Sequence, residues 1–395
     1  MKKFRRVKER AIEGLLFLCG TITTLSVLLI VLFLFRQGLG LFFEKPVPPG
    51  MALVLTADTH IQKLSASRIH RIYQNEYTNW NQLGGSTLPI RHAVLSDLLH
   101  NLPSEALHDS LPVRVTRLLH SSSGLLLAIP EIYVPAEYKK MELPLSSISV
   151  SEIISPTWAP TSRPVSEFGM LPLLLGTLLV AFGAILLALP VGLAAAIYMA
   201  EIANARFRNI LKPVIELLAG IPSVVFGFFG LIVVVPAIQK IFHLPVGDSA
   251  LAGCIILGIM ALPTIITISE DALRNTPRSM REASLALGAT HWQTIKKVVI
   301  PNSLSGIAAA SILGIGRAIG ETMAVLMVTG NAAIMPHSFL QPVRTIPATI
   351  AAELGEAPYG GNHFKALFFL GCILFVITMI INLTVELILK KKRSN

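Results

Sequence analysis

Six long apolar segments constrain this chain more than any other feature. Each has about 20 or more residues, the length that a helix needs to cross the hydrocarbon core of a bilayer. Only 14% of the residues are charged, against about 25% in ordinary soluble domains. The sequence therefore predicts an all-α polytopic membrane protein with six transmembrane helices, at about 15–35, 171–199, 214–238, 251–269, 303–328 and 366–389.

The net charge of +10 is concentrated beside these segments. Basic residues cluster in the N-terminal tail, in the 200–213 and 270–302 loops and in the C-terminal KKKR, whereas residues 36–167 carry as many acidic as basic residues. Positively charged loops stay on the cytoplasmic side of a membrane. Both termini are therefore predicted to be cytoplasmic, and the basic clusters indicate contact with membrane lipid rather than with nucleic acid.

The N-terminus resembles a signal peptide, with MKKFRRVKER before an apolar run. The run is too long for the apolar region of a signal peptide, and no small-residue cleavage site follows it, so we expect a retained signal-anchor helix. The three cysteines all lie in apolar segments, which indicates neither a disulfide framework nor a metal site. We expect three parts: residues 1–36 with helix 1, a periplasmic insert at 37–167, and a core at 168–395.

The insert between the first two spans has a mixed composition and is long enough to bury its own core. MALVLT reads as a buried strand, and RIHRIYQ as a short helix with Ile69 and Ile72 facing inward. TNWNQLGGSTLPIRHAVL reads as a loop followed by a strand. We therefore expect a small α/β domain, in which the serine-rich stretch Ser121–Gly124 is a candidate anion-binding loop.

The basic loop at 277–301 is predicted to form two short helices. A helix from about Arg278 should end near Gly288, which suits a left-handed C-terminal cap, and Thr290 can cap a second helix. Trp292 and Ile295 are expected to be the apolar contacts of that second helix. Two such short helices on the cytoplasmic face would form a compact element to which a soluble partner could bind.

The fifth span contains charged residues in SILGIGRAIGETMAVLMVTGN. Arg317 and Glu321 are spaced i and i+4, one turn apart if the helix is continuous, and Thr322 adds a hydroxyl. Each charge near the bilayer centre costs roughly 2.5–3.5 kcal/mol on insertion scales. The two side chains could simply pair with each other, or they could line a path for an anion, since a guanidinium binds two phosphate oxygens at once.

Other polar or helix-breaking residues have a weaker signal. Pro222 and Pro263 lie within predicted spans and are candidates for gating, although proline is common in membrane helices. Glu216 is expected to open the third span near its cytoplasmic end. The sequence has no GxxxxGK[ST] loop, so the chain is not predicted to hydrolyse ATP or to be an enzyme. No catalytic residue or metal site is predicted.

The 281–301 stretch, REASLALGATHWQTIKKVVIP, resembles the cytoplasmic loop of ABC-importer permeases. That loop reads Glu-Ala-Ala, three residues, Gly, nine residues and Ile-x-Leu-Pro. Glu282, Ala283, Gly288 and Pro301 match it, while Ser284, Val298 and Ile300 depart from it. The resemblance implies the ABC-importer permease fold. It also implies an ATPase-coupling role for the loop, in which we include Thr290 and Trp292.

RAIGETMAV, GTLL, PVGLAAAIYMAE and AGIPSVVFG are similar to segments of the permease subunits of the bacterial phosphate ABC importer, and closer to the PstC than to the PstA type. The similarity covers about residues 150–390. RIYQNEYTNWNQLGGSTLPIR, in the insert, looks like a segment of periplasmic phosphate-binding proteins. The Ser-Gly-Thr that holds phosphate in those proteins is absent after the strand.

This resemblance implies a phosphate-transport subunit of the bacterial inner membrane. The implied partners are a second related permease, two ATPase subunits that carry the ATP and Mg, and a periplasmic phosphate-binding protein. It also places Arg317 and Glu321 on the phosphate path. Two alternatives remain open: an ABC permease for another oxyanion, or a membrane sensor coupled to phosphate uptake.

Overall fold

The computed structural model describes residues 2–47, 50–59, 61, 64–94, 111–134 and 148–393. Six helices in this part of the chain are long and apolar enough to cross a membrane, which confirms the predicted number of spans. The chain divides into two compact units. The first comprises Met1–Ser149, Thr161–Ser166 and Ala357–Cys372, and the second Val150–Pro160, Glu167–Glu356 and Ile373–Asn395.

The first unit combines a membrane helix with a small α/β domain. Its helices are α1 (Lys2–Leu39), α2 (Ala66–Tyr73) and α3 (Leu111–Ser121), and its strands are β1 (Met51–Leu55), β2 (Arg91–Val94) and β3 (Leu125–Pro130). Strand β3 is central, antiparallel to β1 and parallel to β2. The predicted strand at MALVLT and the strand after the TNW loop are both confirmed.

The two faces of this sheet are covered by different helices. Alternate residues of β1 and β3 point to opposite faces, as the two-residue period of a strand requires. Ile69 and Ile72 of α2 pack on one face, as predicted, and are fully buried. Val115 and Leu119 of α3, one turn apart, pack on the other. The insert therefore has a core of its own.

Trp80 is the largest side chain in that core and is completely buried. Its indole Nε1–H donates to the carbonyl oxygen of Gly124 at 2.9 Å. Gly124 has φ +69°, and a Cβ there would lie 2.6 Å from the Pro89 carbonyl oxygen. The stretch that looks like a phosphate-binding protein thus serves the packing of this domain. Oxyanion binding by Ser121–Gly124 stays a prediction.

We expect Trp80→Ala to destabilise the insert by about 3–5 kcal/mol, the usual cost of emptying a tryptophan site in a core. Trp80→Phe keeps most of the volume but loses the hydrogen bond to Gly124, at a cost of about 1 kcal/mol. Limited proteolysis of the purified full chain measures both changes as faster cleavage between the first two spans. Equal cleavage of the wild type and Trp80→Ala would contradict this assignment.

The second unit is a helical bundle with a short β-hairpin. Its strands are β4 (Trp158–Ala159) and β5 (Glu167–Phe168). Its helices are α4 (Val150–Ile153), α5 (Leu171–Ile197), α6 (Ala205–Ala219), α7 (Ser223–Phe229), α8 (Val235–Phe242), α9 (Ala250–Arg274), α10 (Arg278–Ala286), α11 (His291–Thr294), α12 (Ile300–Ile319), α13 (Met323–Val328), α14 (Ile346–Glu353) and α15 (Asn362–Arg393), which also reaches into the first unit. Three π-helical turns extend or join helices, at Tyr198–Ile202, Gly230–Val234 and Ile295–Val299.

Helix α9 is the most buried helix of this bundle and packs against both α5 and α12. Small residues allow the close approach of α5. A Cβ at Gly183 would lie 2.4 Å from the Cys254 sulfur, and one at Gly192 would lie 2.8 Å from a methyl carbon of Ile265. Membrane helices that pack through small residues gain van der Waals contact, so α5 and α9 form the closely packed centre of the unit.

In two of the predicted spans, the third and the fifth, the helix breaks inside the predicted range. The third was expected over 214–238, but α6 ends at Ala219 and the span runs over Ser223–Phe242. Gly220 and Pro222 separate the two helices because both disfavour a continued helix. Glu216 therefore does not open the span; it lies in the separate helix α6. The fifth span was expected to continue to Val328, but α12 ends at Ile319.

Candidate functional site

Residues 278–294 form a two-helix elbow made of α10 and α11. The chain turns at Gly288, whose φ of +83° is a left-handed conformation that favours glycine. The Gly288 N–H donates to the Leu285 carbonyl oxygen at 2.9 Å, and the Ala289 N–H to that of Ser284 at 3.2 Å. These bonds satisfy the last carbonyl groups of α10 and confirm the predicted end of the helix at Gly288.

Thr290 begins the second helix of the elbow through a capping box. Its hydroxyl accepts the Gln293 N–H at 3.3 Å, and its own N–H donates to the Gln293 side-chain oxygen at 2.9 Å. The N-cap role predicted for Thr290 is confirmed. The reciprocal bond from Gln293 follows the capping-box pattern, in which Gln is three residues after Thr. Pro301 is the second residue of α12 and comes directly after the π turn Ile295–Val299.

The elbow exposes an apolar surface. Leu287 is 89% exposed and Trp292 60% exposed, and Met280 and Leu285 are also exposed. The prediction that Trp292 is an apolar contact of the second helix is therefore wrong, because this side chain lies on the exposed side of the first turn of the helix that continues as the fifth span. Ile295, its predicted companion, is fully buried. Glu282 and Ala283 are exposed on α10, so both can meet a partner.

Two buried carboxylates near the elbow were not singled out from the sequence. Glu201, in the π turn after α5, pairs with Arg281. Glu270 of α9 is completely buried and lies 3.5 Å from the Lys212 ammonium and 3.4 Å from the Arg274 guanidinium. Only the Arg274 pair has the i, i+4 spacing that a sequence reveals. The other partners come from α6 and α10, which the fold brings close.

Arg317 lies in the last turn of α12 and is exposed. Its Nη1 donates to the hydroxyl of Thr264 on α9 at 3.3 Å. Thr264 is ten residues before the end of α9, a distance of about 15 Å along a helix that rises about 1.5 Å per residue. The hydrocarbon core is about 30 Å thick. The guanidinium is therefore near the middle of the fourth span.

Arg317 and Glu321 are not on one helix, which corrects the predicted i, i+4 arrangement. Helix α12 ends at Ile319, and the residues from Gly320 to Thr322 connect it to α13. Glycines at 316 and 320 weaken the helix at this point. Among the described residues no carboxylate lies within 4.0 Å of the Arg317 guanidinium. The interpretation of Arg317 and Glu321 as a satisfied pair is therefore not supported.

The two prolines have different surroundings. Pro222 precedes the first residue of α7 and has extended backbone angles, so it marks the break between α6 and the third span. Pro263 is buried inside α9, which continues through it. A role of either residue in gating stays a prediction, as does the position of Arg317, Glu321 and Thr322 on a substrate path.

Residues 188–394 match the family model described as "Binding-protein-dependent transport system inner membrane component". The probable ABC transporter permease protein YqgH of Bacillus subtilis is 41% identical over 241 residues, which cover 61% of this chain and 78% of that protein. The phosphate transport system permease protein PstC of Mesorhizobium japonicum is 38% identical, covering 60% and 77%. The PstC protein of Haemophilus influenzae is 32% identical, covering 62% and 82%.

Among solved structures, the methionine ABC transporter MetNI in an inward-facing conformation is similar over 58% of this chain and 99% of that chain, with 20% identity and a TM-score of 0.44. The match to the family model covers more than half of this chain, and the described residues include six helices that are long and apolar enough to cross a membrane. The chain therefore belongs to the family of binding-protein-dependent transport system inner membrane components, as a multi-pass permease of the PstC type.

Proposed function

We propose that this chain is the permease subunit of an ATP-driven ABC importer that moves inorganic phosphate across the bacterial inner membrane. It would supply one half of the path, and a second related permease the other half. Two ATPase subunits would bind ATP and Mg, and an external phosphate-binding protein would deliver the substrate. The names of the PstC relatives support phosphate as that substrate.

The observation that carries this proposal is that the exposed guanidinium of Arg317 lies near the middle of the fourth membrane span. A charge at the centre of a bilayer is costly and marks a pathway by default. The only polar partner of this side chain in the described structure is the Thr264 hydroxyl, which leaves most of its five N–H donors available. A planar guanidinium suits two oxygens of phosphate. Glu321 and Thr322 follow in the adjoining break and would share the path.

The orientation follows from the distribution of basic residues. With both termini in the cytoplasm, the elbow at 278–294 faces the cytoplasm and the insert lies outside. In this arrangement three exposed residues of the elbow, Glu282, Ala283 and Trp292, meet the ATPase subunits. Gly288 and Thr290 hold its shape, and Pro301 follows in the fifth span. Closure of the ATPase subunits would then bias the bundle between inward-open and outward-open states.

Reconstitution tests the proposal. Proteoliposomes with this chain, the second permease, the ATPase and the binding protein should take up radiolabelled phosphate only when ATP and binding protein are both present. Excess unlabelled phosphate should compete, and excess sulfate should not. If excess sulfate, but not excess unlabelled phosphate, lowered the uptake, another oxyanion would be favoured as the substrate. Phosphate uptake that survives without ATP would contradict an ABC mechanism. Unchanged uptake, with altered regulation, after deletion of residues 50–160 would assign a sensing role to the insert.

A further inference from the structure

Arg281 joins the elbow to two membrane helices through one nitrogen atom. Its Nη2 donates to Glu201 Oε1 at 2.7 Å and to the carbonyl oxygen of Leu273 at 2.9 Å. The first acceptor lies in the π turn after α5 and the second near the end of α9. The side chains of Arg281 and Glu201 are only 23% and 7% exposed. Solvent therefore screens this ion pair far less than an exposed one.

The acceptors of this bond are fixed in a buried apolar cluster. Leu273, whose carbonyl oxygen binds Arg281, is fully buried with Ala196 of α5, Val299 and Ile307. These residues belong to the second, fourth and fifth spans, at the end of the bundle beside the elbow. Close-packed interiors transmit displacement because they do not compress. A displacement of Arg281 would therefore be passed to the packed ends of the second, fourth and fifth spans together.

The backbone at Glu201 is also specialised. The Ala203 N–H donates to the Tyr198 carbonyl oxygen at 2.7 Å, a bond that spans five residues and widens the last turn. Such π turns are rare in proteins as a whole, and those that occur are often found at functional sites. This turn sets Glu201 beside Arg281, although the two residues are 80 positions apart.

We propose that the Arg281–Glu201 pair is the link through which movement of α10, the first helix of the elbow, is passed to the second and fourth spans, whereas α11 is itself the start of the fifth span. This inference rests on the proposed function. Arg281 and Glu201 are positioning residues: neither touches the substrate path at Arg317. The same helices α9 and α12 that join the buried cluster also carry Thr264 and Arg317. Displacement of the elbow is therefore carried along both helices to the guanidinium.

The test measures phosphate uptake and ATP hydrolysis in the same proteoliposomes. Arg281→Ala should leave ATP hydrolysis within about twofold of wild type and lower the phosphate moved per ATP about tenfold, since coupling between distant sites is usually worth about 5–150-fold. Glu201→Gln, which keeps the side-chain volume, should act in the same direction. The double reversal Arg281→Glu with Glu201→Arg should recover only part of the phosphate moved per ATP, because it restores the ion pair but a carboxylate at 281 cannot donate to the Leu273 carbonyl oxygen.

Arg278→Ala is the matched control, because Arg278 is an exposed arginine on the same helix. It should leave the uptake per ATP unchanged. A wild-type ratio in both Arg281→Ala and Glu201→Gln would overturn the proposal. The proposal would also be overturned if all four variants lowered the phosphate moved per ATP, because that result would show a general effect of altered charge.

A readout that does not depend on phosphate separates failure of this link from failure of the proposed function. An environment-sensitive fluorophore on Tyr198→Cys, in a chain whose three native cysteines are replaced, reports movement at the end of α5. Addition of ATP and vanadate should shift its emission in the wild-type background and not with Arg281→Ala. An equal shift in both refutes the link even if the complex transports another solute. A wild-type complex that shows the shift but no phosphate uptake refutes only the substrate.

Discussion

Replacing Arg317 by alanine is expected to lower phosphate uptake by at least about 100-fold. Hydrogen bonds to a charged partner are worth about 1.5–3 kcal/mol each, and a bidentate guanidinium makes two to phosphate. The loss of these two hydrogen bonds corresponds to a decrease in uptake of at least about 100-fold. Uptake of radiolabelled phosphate by the reconstituted complex measures it directly.

The complex should still assemble with this variant. Arg317 is exposed and its one polar contact in the described structure is the 3.3 Å bond to Thr264, so alanine removes little that holds the bundle together. Arg317→Lys keeps the charge without the planar fork and should retain part of the activity. Thr264→Val is the second arm: it removes the hydroxyl that holds the guanidinium and should have a smaller effect than Arg317→Ala. Wild-type uptake with Arg317→Ala would remove this residue from the path.

Local interactions explain which parts of the candidate site were predictable from sequence. The turn at Gly288 and the cap at Thr290 depend on residues within five positions of each other. Their outcome is set by backbone conformation and by hydrogen bonds within one turn. The same reasoning identified the strand at Met51–Leu55 and the inward face of α2. The number of spans followed from apolar length alone.

Interactions that depend on tertiary packing were not predictable in this way. The pairing of Arg281 with Glu201 needs the relative placement of α5 and α10, which the sequence spacing does not contain. The exposure of Trp292 depends on which side of the first turn of the fifth span packs against the bundle, where Ile295 is buried and Trp292 is not. The break between Arg317 and Glu321 did have a sequence signal, because Gly316 and Gly320 both weaken a helix. That signal was outweighed by the continuous apolar pattern through Val328.

We expect the double variant Leu287→Asp with Trp292→Ala to lose most of its affinity for the ATPase subunits. These side chains are 89% and 60% exposed, so neither contributes much to the folding of this chain. Large apolar side chains at the centre of an interface are typically worth at least about 2 kcal/mol each on truncation. The two together correspond to at least about 100-fold in affinity. Titration of the detergent-solubilised permease with purified ATPase measures the change.

His291→Ala is the control for this experiment, because His291 is exposed in the same helical turn as Trp292 but offers less apolar area. Its affinity should stay within about threefold of wild type, as for most interface residues outside a hot spot. The capping box of Thr290 and Gln293 is untouched in both variants, so the elbow keeps its shape. Undiminished ATPase affinity in the double variant would place the docking surface elsewhere. If the double variant still inserts into the membrane but loses ATPase affinity, the docking surface includes the exposed apolar side chains of Leu287 and Trp292. Their replacement does not alter the less exposed side chains of Arg281 and Ile295, so the loss would not come from a disturbed packing of the elbow.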